Sequence, residues 1–307
     1  MSFPEPVAGW ARLEADPEVF GAVIVTDGAD DDGRLVLVGC EGSDGGAAGF
    51  PVWWSDDATH WQRAKGPGDV ACMDQVEASP FGYFATGGPH GVQNQFHSPD
   101  GFTWERLDLS DDFGFDQPGE LGVVFAIFVS PTKDRVTLLY SRAAENESRI
   151  ATLITTTDGD TWQQGPPDSA ALFDSSSIAA VIEGGPGLIA VGSSPGGEFV
   201  PIAAVFTSSD GLNWTRATSR NPDFDHKIMT DVMAFAGGYV AVGGDFSNTG
   251  LMTAWTSPDG LMWSRSPHPP EETDPSVAQM TAETVTSAGG FIWAAGRDFD
   301  ARRDTDD

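Results

Sequence analysis

The chain has 307 residues, 40% of them hydrophobic, so a sizeable core is available and length alone allows one large domain or two ordinary ones. Sixteen lysines and arginines stand against 46 aspartates and glutamates, a formal net charge of -30 that repels phosphate backbones and anionic membrane surfaces. Nucleic acid and membrane are thereby excluded as expected partners, while cations, basic proteins and neutral ligands stay open; the excess acid also keeps a β-protein soluble and discourages edge pairing.

From the N-terminus, Met1-Ser-Phe-Pro-Glu-Pro6 lacks a basic segment followed by an apolar one, and nowhere do the roughly 18 apolar residues of a membrane span occur. The chain as written is expected to be cytoplasmic; a secreted domain in processed form would read the same way. Glycine (37) and proline (21) are abundant, hydrophobic runs are short, and no stretch has the period of a long amphipathic helix, so an all-β protein is predicted. Two cysteines, Cys40 and Cys72, are too few for a disulfide framework and are read either as one bridge or as two buried thiols, the thiols being favoured inside a cell.

One phrase recurs five times: Ser55-Asp-Asp57-Ala-Thr-His-Trp61, Ser98-Pro-Asp100-Gly-Phe-Thr-Trp104, Thr156-Thr-Asp158-Gly-Asp-Thr-Trp162, Ser208-Ser-Asp210-Gly-Leu-Asn-Trp214 and Ser257-Pro-Asp259-Gly-Leu-Met-Trp263. Asp-Gly between β-rich runs is a hairpin signal, because glycine adopts the positive φ of such a turn without steric cost. The Asp and Ser/Thr oxygens can bond within the turn, and the tryptophan covers it from the following strand.

Before each box lies an apolar strand introduced by a turn, as in Leu35-Val-Leu-Val-Gly39, Tyr83-Phe-Ala-Thr-Gly87, Leu188-Ile-Ala-Val-Gly192 and Tyr239-Val-Ala-Val-Gly243. Each unit therefore reads as strand, turn, strand, loop, strand, box turn, strand with Trp, which is a four-stranded antiparallel blade. The outermost strand continues as Trp-x-Arg in Trp61-Gln-Arg63, Trp104-Glu-Arg106, Trp214-Thr-Arg216 and Trp263-Ser-Arg265. An orphan Trp10-Ala-Arg12 near the N-terminus and two box-less strands around Thr284 to Ala295 complement each other. Joined, they predict a single domain over 1–307, a six-bladed β-propeller whose sixth blade is shared between about 8–15 and about 281–300.

The repeat resembles the Asp-box, or BNR, repeat of the sialidase-like propellers, in a form one residue shorter between Asp and Gly. The resemblance implies that the boxes join third and fourth strands and that any site lies on the opposite face. It does not bring the sialidase chemistry, because the Phe/Tyr-Arg-Ile-Pro motif is absent and Tyr83, Tyr140 and Tyr239 occupy repeat positions on strands.

Aligning the units on Gly82, Gly238 and Gly290 places Gln75, Asp231 and Glu283 seven residues earlier, at the start of the innermost strands. Asp231 and Glu283 are the candidate catalytic carboxylates, able to hold a cation or to share acid and base roles, or else to bond channel water. His226, Asp245 and Arg297, with Gln75, complete the candidate ligand-binding group. His60, His90, His97, His226 and His268 lack the paired spacing of a zinc site, so no metal centre is expected, and no cofactor beyond calcium, for which Asp108 to Asp116 offers oxygen ligands without an EF-hand pattern. The expected function is noncatalytic recognition of a protein or small ligand at the acidic loop face by a monomer; the alternative is an enzyme, a glycan hydrolase, lyase or biosynthetic cyclase, using the carboxylate pair.

Overall fold

The computed structural model describes residues 16, 18–21, 23–41, 50–88, 94–107, 109, 113, 123–143, 149–185, 187–196, 200–217, 222–247, 251–267, 277–288 and 290–300. The chain is all-β and divides into two compact units, one within Gly9–Ala171 and one within Leu172–Asp307. Trp10-Ala-Arg12 and most of the calcium candidate Asp108 to Asp116 lie outside the described residues.

The first unit holds three antiparallel meanders: β1 (Val23–Asp31), β2 (Arg34–Glu41), β3 (Val52–Ser55) and β4 (Gln62–Arg63); β5 (Cys72–Ser79), β6 (Gly82–Gly88), β7 (Asn94–Ser98) and β8 (Glu105–Leu107); and β9 (Val123–Val129), β10 (Val136–Ala143), β11 (Arg149–Thr156) and β12 (Trp162–Gln164). The second unit holds β13 (Ser177–Gly184), β14 (Gly187–Pro195), β15 (Pro201–Ser208) and β16 (Trp214–Arg216), then β17 (Lys227–Phe235), β18 (Gly238–Asp245), β19 (Met252–Ser257) and β20 (Ser264–Arg265), and last the hairpin β21 (Val277–Ala288) and β22 (Phe291–Asp300). Each four-stranded meander corresponds to one of the blades predicted from the repeats and is called a blade below, the first two being joined into one eight-stranded sheet through β2 and β5. The described helical turns are short, and none is long and apolar enough to cross a membrane.

The five repeated turns share a positive φ at the fourth position and an Asp carboxylate that accepts two following N–H groups. In the turn of β7 and β8, Gly101 has φ +79 and donates its N–H to Ser98 Oγ at 2.8 Å. Asp100 Oδ1 accepts the N–H groups of Phe102 and Thr103 at 3.0 and 2.8 Å, and Trp104 Nε1 donates to the Gly101 carbonyl at 3.0 Å. Gly159, Gly211 and Gly260 repeat the positive φ. Two backbone N–H bonds, from Thr161 and Asp160, hold the Asp158 carboxyl at about 2, so Asp158 is an anchored anion of its turn.

The apolar core lies between neighbouring blades. Val36, Val38 and Val52 pack on Met73, Val76, Ala85, Phe96 and Trp104, and Ile189, Val191 and Val205 pack on Met229, Val232, Ala241 and Trp255. The arginine of Trp-x-Arg lies across from a third-strand aromatic: Arg63 from Trp53, Arg106 from Phe96, Arg216 from Phe206 and Arg265 from Trp255. In the first three the guanidinium carbon sits 5.7 to 5.8 Å from the ring centroid, a cation–π contact that also shields the outer edge. Cys40 and Cys72 are disulfide-bonded where β2 meets β5, so the bridge, and not the pair of free thiols, joins the first two blades.

Ala58 occupies the glycine position of the first box with φ +62, a conformation that disfavours a Cβ. Ala58→Gly is expected to raise stability by about 1 kcal/mol in urea unfolding, the relief of left-handed strain exceeding the entropy that glycine adds to the unfolded chain.

Candidate functional site

The innermost strands carry a bulge at one repeated place. The register shifts between Val25 and Asp27, Met73 and Gln75, Ile178 and Ala180, Met229 and Asp231, and Ala282 and Thr284. The bulge pushes inner-strand backbone against the second strand, where a Cβ on Gly39, Gly87, Gly192, Gly243 or Gly296 would come within 1.9 to 2.4 Å of a carbonyl oxygen. The glycine that ends each apolar phrase is therefore the imprint of the bulge.

The residue just past the bulge reaches the next blade. Asp27 Oδ2 accepts the N–H of Val76 at 2.9 Å. Gln75 accepts the N–H of Ile127 and donates to its carbonyl, both at 3.0 Å. Asp231 Oδ2 accepts the N–H of Val285 at 2.8 Å and the hydroxyl of Thr284 at 2.9 Å, while its Oδ1 accepts the N–H of Val232 at 2.8 Å. The bulge residues Thr26 and Thr230 add hydroxyl bonds to the Met73 and Ala282 carbonyls of the following strands. These are clasps between blades, and their acceptors are engaged.

This geometry corrects the glycine alignment. The turns run Asp31 to Arg34, Ser79 to Gly82, Phe235 to Gly238 and Ala288 to Phe291, so Gly290 stands where Gly33 does and Phe291 is the counterpart of Gly82 and Gly238. Seven residues before these positions come Asp27, Gln75, Asp231 and Thr284. Glu283 is the bulge residue beside that position, and Gln75 and Asp231 lie in mid-strand instead of at the strand start. Gln75 belongs to the other compact unit from the remaining candidates.

His226, Asp245, Glu283 and Arg297 do gather at one end of adjoining strands. Lys227 pairs with Asp245, the Phe246 N–H donates to the His226 carbonyl at 2.6 Å, Gly244 bridges to Thr281, and Thr281 pairs with Arg297. His226 is exposed with φ +62. Asp245 is buried: burial raises its carboxyl, but hydrogen bonds from Ser247 and the charges of Lys227 and Arg265, 3.5 and 3.6 Å away, prevail and hold it below the usual range. Glu283 and Arg297 form an ion pair at 2.9 Å with both side chains well exposed, an arrangement open to a ligand and of small value to stability.

Two carboxylates escaped the sequence reading. Asp27 and Glu77 lie on β1 and β5 of neighbouring blades, and Gln75 Nε2 donates to Glu77 Oε1 at 3.3 Å. Burial and then the charge of Asp27 push Glu77 up to about 7; burial likewise raises Asp27, against its bonds from Val76 and Gly28. A separate cleft of about 470 Å³ opens at the box turns, lined by Asp31, Asp32, Arg34, Asp56, Tyr83 and Asp100, on the face where no site was expected. Arg34 fills part of it, bonded to Asp56 and lying 5.1 Å from the Trp54 ring centroid. No group of three or more metal-binding side chains is found among the described residues.

No family profile matches the sequence, and no curated protein matches it. Among solved structures, the chain is similar to a Hadza microbial sialidase at 15% identity and a TM-score of 0.49, over 80% of this chain and 58% of that one. An α-L-arabinofuranosidase from Fusarium graminearum gives 18% identity and a TM-score of 0.46 over 90% of this chain and 93% of that one. A thermostable family-43 glycoside hydrolase gives 12% and 0.41 over 91% and 95%. At such identities and scores, the activities in those names stay with those proteins.

Removing a clasp leaves a buried N–H without its acceptor. Asp27→Ala and Asp231→Ala are each expected to lower unfolding free energy by about 1–3 kcal/mol in denaturant titrations. For Glu77 the folded-state value lies above the ordinary 4.5, so the stability that its proton confers is full below that pH and is lost as pH rises to about 7. Glu77→Gln should remove this part of the pH dependence, worth on the order of 2 kcal/mol after allowance for the side chain's partial exposure.

Proposed function

We propose that the chain closes into a six-bladed propeller of Asp-box repeats, with residues about 8–15 completing the last blade, and that it works as a noncatalytic binding module. The ligand, a protein or a small molecule, is taken at the loop face around His226, Glu283 and Arg297. The observation that carries this reading is the state of Asp231: its carboxylate accepts three hydrogen bonds inside the fold and so serves to fasten β17 to β21. The exposed Glu283 and Arg297 offer an acceptor and a donor fork side by side, suited to a polar ligand group. The Cys40–Cys72 bridge supports the processed, secreted form of the protein over the cytoplasmic one.

One observation favours the enzyme alternative. Asp27 and Glu77 are neighbouring carboxyls, and Glu77 is poised near neutrality, as an acid-base residue would be. Their place between blades favours the structural role.

A thermal-shift screen with basic peptides and with mono- and oligosaccharides tests the proposal, alongside assays of the same sugars for cleavage. The expected result is stabilisation by at least one probe, lost in the double variant Glu283→Gln, Arg297→Ala, with no product formed. Turnover of any glycoside that Glu77→Gln abolishes, with the fold intact, would establish the enzyme reading instead.

A further inference from the structure

At one boundary the blades depart from their own repeat, and three departures coincide there. Tyr140 on β10 stands opposite the bulge, where the other second strands carry Gly39, Gly87, Gly192, Gly243 and Gly296. In the preceding blade, Thr86 on β6 takes the place of Val38, Leu139, Val191 and Val242. Gln95 on β7, paired with Thr86, takes the place of Val52, Leu153, Val205 and Ala254. Across the boundary, Tyr140 Oη donates to Gln95 Oε1.

Thr86, Gln95 and Tyr140 are 2, 6 and 5% exposed. Tyr140 belongs to the apolar cluster of Phe84, Ile127, Val136 and Leu138. Burial pushes its phenol well above the ordinary range, so it keeps its proton and stays a donor to Gln95. The Gln95 amide is thus held at its oxygen, while its buried Nε2 has no hydrogen-bond partner among the described residues. A buried donor without an acceptor costs stability, and the apolar residues at this place in four other blades avoid that cost. Parts that recur in every blade hold the fold, whereas a linked set of departures that leaves a donor unsatisfied serves some other end. Gln95 also lies one residue inside Asn94, the partly exposed start of β7, on the side where second strand passes to third.

We propose that Gln95 Nε2 is the recognition donor of a second ligand site, between the second and third blades, for a small molecule presenting a carbonyl or hydroxyl oxygen on an apolar body. Tyr140 is the positioning residue that holds the amide. The apolar surroundings of Phe84 and Ile127 disfavour a charged acceptor, so the oxygen is neutral. The site is separate from the one around Glu283 and Arg297.

The probes are N-methylacetamide, for the carbonyl, and cyclopentanol, for the hydroxyl, each titrated into the isotope-labelled full chain and followed by NMR. The side-chain amide signal of Gln95, assigned by its loss in Gln95→Leu, is expected to shift saturably with at least one probe. Tyr140→Phe keeps the ring but frees the amide, and should weaken that probe about tenfold. The double variant Gln95→Leu, Tyr140→Phe brings Gln95 back to the apolar pattern of the repeat; it should no longer show probe-induced shifts at the Thr86 and Ile127 backbone amides, yet unfold at the same urea concentration as the unaltered chain or a higher one. A lower midpoint for the double variant would overturn the proposal by making the pair structural. So would the absence of a saturable shift with either probe, undiminished shifts in the double variant, or a long-lived internal water on Gln95 that neither probe displaces.

Discussion

Neighbouring blades are fastened by one side-chain oxygen that reaches from just past a bulge on an innermost strand to a backbone N–H of the next innermost strand. Asp27, Gln75 and Asp231 make this bond to Val76, Ile127 and Val285. The arrangement answers a general requirement, since each sheet ends in an edge whose buried N–H groups need acceptors. The bulge turns the polar side chain toward that edge, and a glycine in the second strand makes room for the bulge. Where the position holds Ala180, the neighbouring blades rely on the apolar cluster that Ala180 joins and on the Gly185 N–H bonded to the Tyr239 hydroxyl. The clasp is thus one of two solutions to the same problem.

This constraint shapes what the molecule can do chemically. Carboxylates on innermost strands are conspicuous in a sequence and invite a catalytic reading, yet a carboxylate that already accepts backbone and hydroxyl protons is an organising group. Free chemistry is left to groups outside the clasp. Glu283 and Arg297 project from the bulge and the second strand of the last sheet, and Glu77 sits beside two clasps with its proton retained by burial.

Much of this was legible beforehand. Five boxes announced five turns, and in each the Asp carboxylate accepts the backbone N–H groups that the pattern implies. The Trp-x-Arg phrase marked the outer strands, though its pairing with third-strand aromatics is a cross-strand relation that linear spacing conceals. The site was less legible, because a turn glycine is a poor landmark: Asp32-Gly33 and Gly289-Gly290 place their glycine before the second strand, whereas Gly82 and Gly238 begin it. One residue of slippage put Glu283 where Thr284 belongs and hid Asp27. Counting from the strand pair instead would have found Asp27. Nothing in the spacing signalled Glu77, whose character comes from burial, nor did it distinguish a bridge from two thiols at Cys40 and Cys72.

Amide hydrogen exchange followed residue by residue tests the central claim most directly. If the clasps fasten the blades, the N–H groups of Val76, Ile127 and Val285 exchange as slowly as those of the strand centres, and Asp27→Ala speeds exchange at Val76 while leaving Val285 protected. Rapid exchange of Val76 and Val285 in the unaltered protein, or no change at Val76 when Asp27 loses its carboxylate, would contradict it.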